Sequence, residues 1–428
     1  SAYYEVVNDI DFLGEPFQGP KKAFLGSLDG KNHTLSNLCL VDGGLFGMMK
    51  DSVKVRNLQF ENPVLVLSAN SLNPAGILAD YMQGGVTDDG VDVFASLSNV
   101  HVFNPIIKGV GYEQIVGTIV GEAALNLDVH TCSVTDAVIS ARDAQVGGVI
   151  GKSQTFTNIH ACVFTGQAEG KIVGGITSEV SSGEPVYNCR VDADLYSNNT
   201  IGGIVGFSGR SLISNCVVEG TLTLDSKATT GKVGGIVGEV ETDATGSSTE
   251  MLAENCLVAL SEINVPEGKD VIAHRVIGFS SGDDYEYDWD NVDWNKPQSE
   301  WPRAYFAPEK NFKNNYVVSD LAALDATVQL TDTTTEGATL AWSEVTTEWL
   351  SAHGYKLGAS VDAPWVKGEQ LTLWFEDELP TDLEDIFGGN CGNINGGSNQ
   401  NAKKLMIDGQ LYILRHDGLY NLTGARVK

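Results

Sequence analysis

Residues Val233–Gly238 have the sequence VGGIVG, and close variants of these six residues recur along the chain. We call each variant a glycine phrase. The other copies are GGLFG at Gly43–Gly47, VGTIVG at Val116–Gly121, VGGVIG at Val146–Gly151, VGGITS at Val173–Ser178 and IGGIVG at Ile201–Gly206, with weaker copies AGILA at Ala75–Ala79 and HRVIG at His274–Gly278. Repetition at spacings of roughly 30 residues indicates a solenoid built from stacked copies of one unit.

A second motif alternates with the glycine phrase, and we call its second residue the anchor. The nine anchors are Leu38, Leu58, Val100, Cys132, Cys162, Cys189, Cys216, Cys256 and Tyr316. Bulky or apolar residues also stand two positions after each anchor, whereas the position between them varies from Ser133 to Arg190. This alternation has the period of two that a β-strand with one buried face requires.

The repeats predict an all-β fold, a right-handed parallel β-helix of about nine or more coils. Three successive anchor spacings, from Cys132 to Cys216, are 30, 27 and 27 residues, which is too long for a hairpin and suits one coil. Coils stacked ~4.8 Å apart would satisfy each other's backbone groups and bury one continuous core. The anchors should then form a single inward-pointing row, with each member lying on the previous one.

The residues at the coil corners agree with this prediction. Asn precedes seven of the nine anchors, and Thr131 and Ala161 precede the other two. Asn tolerates the left-handed backbone of a tight corner, and stacked amides can hydrogen-bond along the column. The paired glycines fit a corner that needs positive φ or close backbone approach. A phosphate-binding loop is disfavoured, because the phrase lacks the strand-then-helix context and the lysine of such loops.

Five of the seven cysteines are anchors of successive coils. We predict a buried ladder of free thiols acting as small hydrophobic residues, because Leu and Val occupy the same position in other coils. A disulfide between neighbours is the alternative, and zinc is disfavoured because there is no CxxC pair. His130 and His160, each two residues before an anchor, should lie side by side on the outer surface, as solvated side chains rather than as a metal pair.

The composition is that of a globular chain, with 42% hydrophobic and 19% charged residues among 428. The net charge of −29 disfavours nucleic acid and anionic membranes as partners, because their phosphates would be repelled. No apolar run reaches the ~18 residues that a membrane-spanning helix needs, so we do not expect the chain to span a bilayer. No signal peptide is recognisable, and Ser1 is interpreted as the start of a mature or trimmed chain.

Three coils contain insertions between the glycine phrase and the next anchor. The basic distance from the second position of the paired glycines to the anchor is 14 residues, as from Gly44 to Leu58, Gly148 to Cys162 and Gly175 to Cys189. It is 24 for Gly76 to Val100, 21 for Gly235 to Cys256 and 41 for Arg275 to Tyr316. Because all three insertions leave the coil at the same station, they should project from one side of the column, where solenoids often bind ligands.

The insertions combine carboxylates with aromatic rings. Candidate ligand-binding residues are Asp88 and Asp89 in the first insertion and Tyr285, Tyr287, Asp288, Trp289, Asp290 and Trp294 in the third. Aromatic faces stack on sugar rings, and carboxylates accept hydrogen bonds from hydroxyl groups or hold Ca²⁺. No strict calcium-loop spacing is present, so we expect no cofactor. The alternative is that the carboxylates are solvated and the aromatic rings pack the long loop onto the column.

The C-terminal third contains all seven tryptophans. We expect residues 320–376 to form irregular final coils and a cap over the open end of the column, which completes a β-helix domain of residues 1–376. Residues 377–404 are polar and glycine-rich, which predicts a flexible linker. Residues 405–428 alternate apolar and polar side chains around two Asp-Gly pairs, which predicts a small β-hairpin or meander. A sorting or anchoring role for this tail is a hypothesis.

The opening segment carries a family resemblance. The string AFLGSLDGKNHTLSNLCL at residues 23–40, followed by GGLFG and the later VGGIVG units, resembles the GLUG-motif repeat proteins, which are secreted or surface-anchored proteins of bacteria. The resemblance extends over about residues 1–376. It implies an adhesin-like extracellular protein of the bacterial cell surface, and it brings no catalytic residues with it.

Three functions are compatible with these features. We favour a non-catalytic surface protein that binds glycan or another cell-surface ligand through loops on one face of the β-helix. The alternative is a carbohydrate-active enzyme, a polysaccharide lyase or glycoside hydrolase, which needs paired carboxylates or basic residues on adjacent coils. The outward positions beside the anchors show no carboxylate pair: Gln59, His101, Ser133, Val163, Arg190, Val217 and Leu257. A purely structural stalk is the third hypothesis, and the oligomeric state is not predicted.

Overall fold

In the computed structural model, glycine phrases and anchor motifs form alternate segments of one coil, and the coils stack as a parallel β-helix. The structure describes residues 2–20, 22–71, 74–86, 89–181, 183–241, 251–267, 270–281, 285–287, 291–305, 311–379, 403–407, 410–415 and 418–421. The predicted all-β fold class is confirmed.

The glycine phrases lead into one eight-stranded parallel sheet, which we call the glycine sheet. Its strands are Phe46–Met49, Ala79–Gln83, Val120–Ala124, Ile150–Ser153, Thr177–Val180, Val205–Ser208, Val237–Glu241 and Ile277–Ser281. The second glycines of successive phrases stack closely. A Cβ on Gly175 would lie 2.3 Å from the carbonyl oxygen of Gly203, and one on Gly203 would lie 2.0 Å from that of Gly235. Close backbone approach therefore requires glycine at these two positions.

The other faces of the column belong to one large parallel sheet, in which each strand pairs with strands of the neighbouring coils. Strands that contain or adjoin the anchor motifs are Ser27–Ser36, Lys54–Glu61, Ala95–Phe103, Leu127–His130, Ser133–Ser140, Thr157–His160, Val163–Gly174, Val186–Tyr187, Arg190–Gly202, Ile213–Ser214, Val217–Leu224, Ala253–Glu254, Leu257–Asn264, Phe312–Lys313, Tyr316–Val317 and Ala338–Thr339. The remaining strands are Tyr3–Glu5, Ile10–Asp11, Pro16–Phe17, Cys39–Val41, Val64–Leu67, Ile106–Gly109, Ile115–Gly117, Gln145–Gly147, Thr230–Gly234 and Asp270–His274.

Seven of the nine predicted anchors form one continuous buried row. Leu58 pairs with Val100, and from there the residues that follow the anchors pair coil by coil, from His101 through to Leu257. The stacked anchors are Leu58, Val100, Cys132, Cys162, Cys189, Cys216 and Cys256, each with 0% of its surface exposed. Over this range the predicted register is confirmed.

Residues 3–17 form the first coil, and in the coil that follows it the anchor prediction is wrong. Leu58 pairs with His33 rather than with Leu38. This segment contains two asparagines, Asn32 and Asn37, and both have positive φ because both stand at corners. The predicted motif started from Asn37, which lies at the next corner along the coil.

In the last coil the prediction is wrong for a similar reason. Leu257 pairs with Tyr316, so Asn315 stands beside Cys256 at the anchor position and Tyr316 faces outward. The side-chain Oδ1 of Asn315 accepts a hydrogen bond from the backbone N–H of Cys256 at 3.2 Å. Asn314 is the corner residue, with a φ of 55°. Here two consecutive asparagines leave the predicted anchor one residue out of register.

The corner before the anchors has left-handed backbone in every coil of the row, including the coil where Ala161 replaces asparagine. The side-chain amide of Asn99 donates to Oδ1 of Asn57 at 2.9 Å, and that of Asn314 donates to Oδ1 of Asn255 at 3.0 Å. The predicted corner role of asparagine and the hydrogen bonds between stacked amides are confirmed.

The five anchor cysteines are buried free thiols, as predicted. Each lies against the cysteine of a neighbouring coil, and burial raises the pKa of the Cys132, Cys189 and Cys256 thiols well above the usual value. They act as small core residues rather than as reactive groups. Cys39 lies outside this row and is disulfide-bonded.

The first part of the C-terminal segment closes the end of the column. The chain beyond Tyr316–Val317 returns as strand Ala338–Thr339 beside it. Arg275, which stands where other phrases have their second glycine, is completely buried and lies 3.4 Å from the equally buried carboxylate of Glu336. Its guanidinium also donates to backbone carbonyl oxygens of the last coil. A buried ion pair therefore fills the end of the core.

Residues 340–379 instead fold back along the outside of the column, and we call them the side cover. They contain helix α1 (Thr347–Ala352), the hairpin strands Trp365–Lys367 and Leu371–Leu373, and the 3-10 turns Trp342–Glu344 and Glu376–Glu378. Their buried side chains, which include Leu350, Tyr355, Trp365 and Phe375, share one core cluster with Val163, Val217 and Leu257 of the column. Those three column positions are outward and apolar, so burying them against the side cover stabilises the fold.

Besides the hairpin of the side cover, the described residues form three further antiparallel units that are separate from the two large sheets. The first insertion pairs Gly85–Val86 with Asp92–Val93, and the third pairs Tyr285–Tyr287 with Arg303–Tyr305 around the 3-10 turn Gln298–Glu300. The tail forms a three-stranded meander of Lys403–Ile407, Gln410–Arg415 and Gly418–Asn421. Most of the predicted linker, residues 380–402, lies outside the described residues.

Candidate functional site

The three insertions leave the column at one edge of the glycine sheet. They follow the strands Ala79–Gln83, Val237–Glu241 and Ile277–Ser281, and the strands of this sheet run parallel. The carboxyl ends of parallel strands lie at the same edge, so the three insertions start from one side of the molecule. This part of the prediction agrees with the structure.

Along that edge, the first insertion starts far from the third. The strand order places six steps between Ala79–Gln83 and Ile277–Ser281, which corresponds to roughly 29 Å at ~4.8 Å per step. Asp89 is exposed in the first insertion, whereas Asp88 lies outside the described residues. The predicted aspartates and the predicted aromatic residues therefore start from separate places on the edge.

The described part of the third insertion is a hairpin whose aromatic rings contact each other. The ring of Trp301 lies 5.1 Å from that of Trp294 and 5.4 Å from that of Tyr287, and both contacts are edge to face. Tyr287 ends the first strand of the hairpin, and Trp301 precedes the second. We call Tyr287, Trp294 and Trp301 the aromatic cluster.

Trp294 is the most exposed ring of the cluster, with 69% of its surface open to water. Hydrogen bonds order the turn that carries it. Trp301 donates from Nε1 to the carbonyl oxygen of Lys296 at 3.0 Å, and Asp293 accepts from the backbone N–H of Asn295 at 3.1 Å. Edge-to-face ring pairs add ~0.5–1.5 kcal/mol each. The cluster therefore holds Trp294 in place while most of its surface stays accessible.

The other predicted residues of this insertion are described less fully. Asp288, Trp289 and Asp290 lie outside the described residues, and for Tyr285 only the strand backbone is described. Within the described ranges, no group of three acidic, histidine or cysteine side chains is placed to hold a metal ion. What the described hairpin offers a ligand is a set of aromatic faces beside polar groups of the turn.

The outward row beside the anchors, which a carbohydrate-active enzyme would use, lies beneath the side cover. Arg190 in this row is 4% exposed and forms ion pairs with Glu219 of the next coil and, at 2.8 Å, with Glu376 of the side cover. The sequence alone did not predict that the side cover buries this row. The available signal was the presence of three apolar residues, Val163, Val217 and Leu257, at positions expected to face outward.

A buried hydrogen-bond chain in this row has the residue types that activate a serine. His101 contacts Ser133 Oγ through Nδ1 and Asn99 Oδ1 through Nε2, each at 2.8 Å. Ser133 is 0% exposed, and the ring of Phe375 in the side cover lies 5.7 Å from that of His101. Burial lowers the pKa of His101 to about 4, so the ring is neutral at physiological pH. The chain satisfies buried polar groups beneath the side cover.

His130 and His160 lie side by side as predicted, and both are partly buried. Their rings stack at 5.2 Å, and His160 also stacks on Tyr187 at 4.7 Å. Nε2 of His160 lies 3.2 Å from Oδ1 of Asp128. Burial, together with the neighbouring His160, lowers the pKa of His130. Ring stacking between coils therefore leaves the two rings only partly exposed to water.

Comparison with known proteins gives a structural likeness to a crystal structure described as "a putative immunoglobulin A1 protease from Bacteroides ovatus". The sequences are 18% identical, the TM-score is 0.37, and the match covers 65% of this chain and 77% of that chain. At these values the likeness carries no argument about function. No protein-family model matches the sequence, and no curated protein matches it. No helix in the described part of the chain has the length and apolar character that crossing a bilayer needs.

Proposed function

We propose that this protein is a non-catalytic surface protein that binds glycan, or another cell-surface ligand, through the aromatic cluster of its third insertion. The observation that carries the proposal is Trp294, whose surface is 69% exposed although two linked ring contacts fix its position. An exposed tryptophan on an ordered support is typical of binding surfaces, where aromatic residues supply much of the affinity.

The chemistry of this hairpin suits a sugar ring. A sugar presents an apolar C–H face that packs on an aromatic plane and hydroxyl groups that bond to polar side chains at its rim. Lys296 and Glu300, 3.9 Å apart and about half exposed, supply both donors and an acceptor beside the cluster. Because the turn is already ordered, little side-chain entropy is lost on binding.

The proposal includes an extracellular setting. The glycine phrases and the opening segment resemble the GLUG-motif proteins, so we propose that the chain is secreted or displayed on a bacterial surface. The net charge of −29 supports a neutral ligand over a strongly anionic one. The meander at the end of the chain is the segment to which a sorting or anchoring role is proposed.

A glycan microarray with three proteins tests the binding function. These are the wild type, Trp294→Ala and a matched control, Phe156→Ala, which removes an equally exposed ring (69%) from another part of the column. We expect Trp294→Ala to bind about tenfold or more weakly, the equivalent of ~1.4 kcal/mol, and Phe156→Ala to bind like the wild type. Equal binding by all three folded proteins contradicts the proposal. Release of sugar from polysaccharides by the wild type identifies an enzyme instead.

A further inference from the structure

A second surface feature lies on another face of the column, away from the insertions. Four outward side chains in register form a row across successive coils of the large sheet. They are Ser140, Glu169, Tyr196 and Thr223. Glu169, Tyr196 and Thr223 come from strand interiors and Ser140 ends its strand, so their side-by-side placement is set by the stacking of coils.

Beside this row the structure has a cleft of about 140 Å³. It is lined by Arg142, Glu169, Tyr196, Ser197, Asn198, Thr223 and Asp225. Arg142 comes from the short turn that follows strand Ser133–Ser140, and it forms an ion pair with Asp225. Its backbone carbonyl oxygen also accepts a hydrogen bond from Asn198 Nδ2 at 3.2 Å. The arginine therefore bridges coils and forms a wall of the cleft.

The ring of Tyr196 is the aromatic surface of the cleft, and 38% of the residue is exposed. Its neighbours in the row, Glu169 and Thr223, are polar side chains, and no described aromatic ring stacks on it. Its hydroxyl makes no hydrogen bond with any residue that the structure describes. Tyr187, which is also an outward ring of the column, instead stacks on His160 of the neighbouring coil.

The polar groups of the cleft are suited to hydroxyl groups rather than to anions. Glu169 uses one carboxylate oxygen to accept a hydrogen bond from Ser140 Oγ at 3.0 Å. Asp225 accepts from the backbone N–H of Lys227 at 2.9 Å in addition to pairing with Arg142. With two carboxylates and one arginine that is already paired, the cleft would repel an anionic ligand. Carboxylates accept hydrogen bonds from sugar hydroxyl groups, and an amide such as that of Asn198 can donate or accept.

We propose that this cleft is a second saccharide subsite, which takes one neutral sugar ring against Tyr196 with Glu169 and Asp225 accepting hydrogen bonds from its hydroxyl groups. The cleft is smaller than the ~300–1,000 Å³ of typical small-molecule pockets, so it holds a single ring of a longer chain. This subsite shares its ligand class with the proposed function, but it does not depend on the aromatic cluster.

Ligand-observed NMR and calorimetric titration with neutral gluco-, galacto- and manno-oligosaccharides test the subsite. The proteins are the wild type, Tyr196→Ala, Glu169→Gln and the control Phe156→Ala, each checked by circular dichroism. We expect Tyr196→Ala to weaken binding by about tenfold or more, Glu169→Gln by about threefold, and Phe156→Ala to leave it unchanged. A matching panel of uronic-acid oligosaccharides is expected not to bind at this cleft.

Trp294→Ala separates the subsite from the aromatic cluster. Binding that Tyr196→Ala abolishes and Trp294→Ala preserves supports the cleft and leaves the proposed function without support. Binding that only Trp294→Ala abolishes overturns the subsite and leaves the proposed function intact. A wild type that binds no neutral oligosaccharide, or that binds only the acidic ones, also overturns the subsite.

Discussion

The two ends of the column differ in how fully their side chains are buried. At the C-terminal end, Arg275 replaces the glycine of the repeat and is buried with Glu336 beneath an irregular coil. In the first coil, by contrast, large apolar side chains are exposed: Tyr3 (54%), Tyr4 (50%), Val7 (72%), Ile10 (45%) and Leu13 (66%). This difference shows that the C-terminal end is closed by a buried ion pair, at a position that is glycine in the regular coils from Gly148 to Gly235, whereas the N-terminal end leaves apolar side chains exposed to water.

Among the changes that test this comparison, removal of Glu336 is expected to have the largest effect on the free energy of unfolding. Glu336→Ala leaves the Arg275 guanidinium as a buried charge without its carboxylate, and it frees the backbone N–H groups of Leu324 and Asp325. We expect the free energy of unfolding to fall by ~3–5 kcal/mol. Urea unfolding followed by tryptophan fluorescence measures this loss.

Glu300→Ala is the matched control, because this carboxylate pairs with Lys296 at the surface. Its loss should change stability by less than ~1 kcal/mol. If Glu336→Ala costs no more than Glu300→Ala, the buried ion pair does not close the column.

The next effect depends on pH and concerns a carboxylate near the first coils. Asp80 accepts a hydrogen bond from the backbone N–H of Gly44 at 2.7 Å, and burial raises its pKa to about 7 from the usual 3.8. Between these values the folded state keeps a proton that the unfolded state releases, so stability falls as pH rises and is constant above pH ~7. Asp80→Asn should remove this slope and raise stability at pH 8 by ~2–4 kcal/mol, at about 1.4 kcal/mol per pKa unit.

Glu336 at the other end should respond in the opposite direction. Burial opposes its ionisation, but hydrogen bonds from His274 and from the backbone lower its pKa overall. Its contribution is therefore present above the unfolded pKa and is lost as pH falls through the lowered folded pKa. Urea unfolding at a series of pH values separates the two groups. A wild-type slope between pH 4 and 7 that persists in Asp80→Asn would show that Asp80 is not its source.

The smallest expected effect comes from the first coil. Val7 is 72% exposed, so Val7→Ser should change the free energy of unfolding by less than ~0.5 kcal/mol. Val317→Ser is its counterpart at the other end, where the side chain is 0% exposed, and there we expect a loss of ~2–3 kcal/mol. Equal losses for the two variants would mean that the first coil is packed as tightly as the last.

The register of the column could be predicted only where the pattern was unambiguous. From Leu58 to Cys256 a single corner asparagine, or its substitute, marks each anchor, and the predicted row is correct. The segments around Asn32 and Asn37, and around Asn314 and Asn315, each offer two residues that favour a corner. Only pairing with the next coil decides between them, and that information is absent from the local sequence.

The two candidate surfaces also differ in whether the sequence could predict them. Tyr287 and Trp294 could be predicted as candidates, because an insertion rich in tryptophan interrupts a regular repeat, whereas the ring of Trp301 that joins them could not. The cleft beside Tyr196 could not, because Glu169, Tyr196 and Thr223 lie 27 residues apart in strands that look like any other. The side cover was missed because the partners of Val163, Val217 and Leu257 come from a segment more than 80 residues later in the chain.

The sequence by itself determined the repeating unit, the buried row of small and apolar anchors, the glycine stack and the edge from which the insertions leave. These features depend on contacts between like positions of successive coils, so one period of the pattern describes them all. Tertiary structure alone decided the register near the two ends of the column, the buried charge pair at Arg275 and the face that the side cover removes from water. Each of those depends on contacts between unlike segments, and repetition carries no information about such contacts.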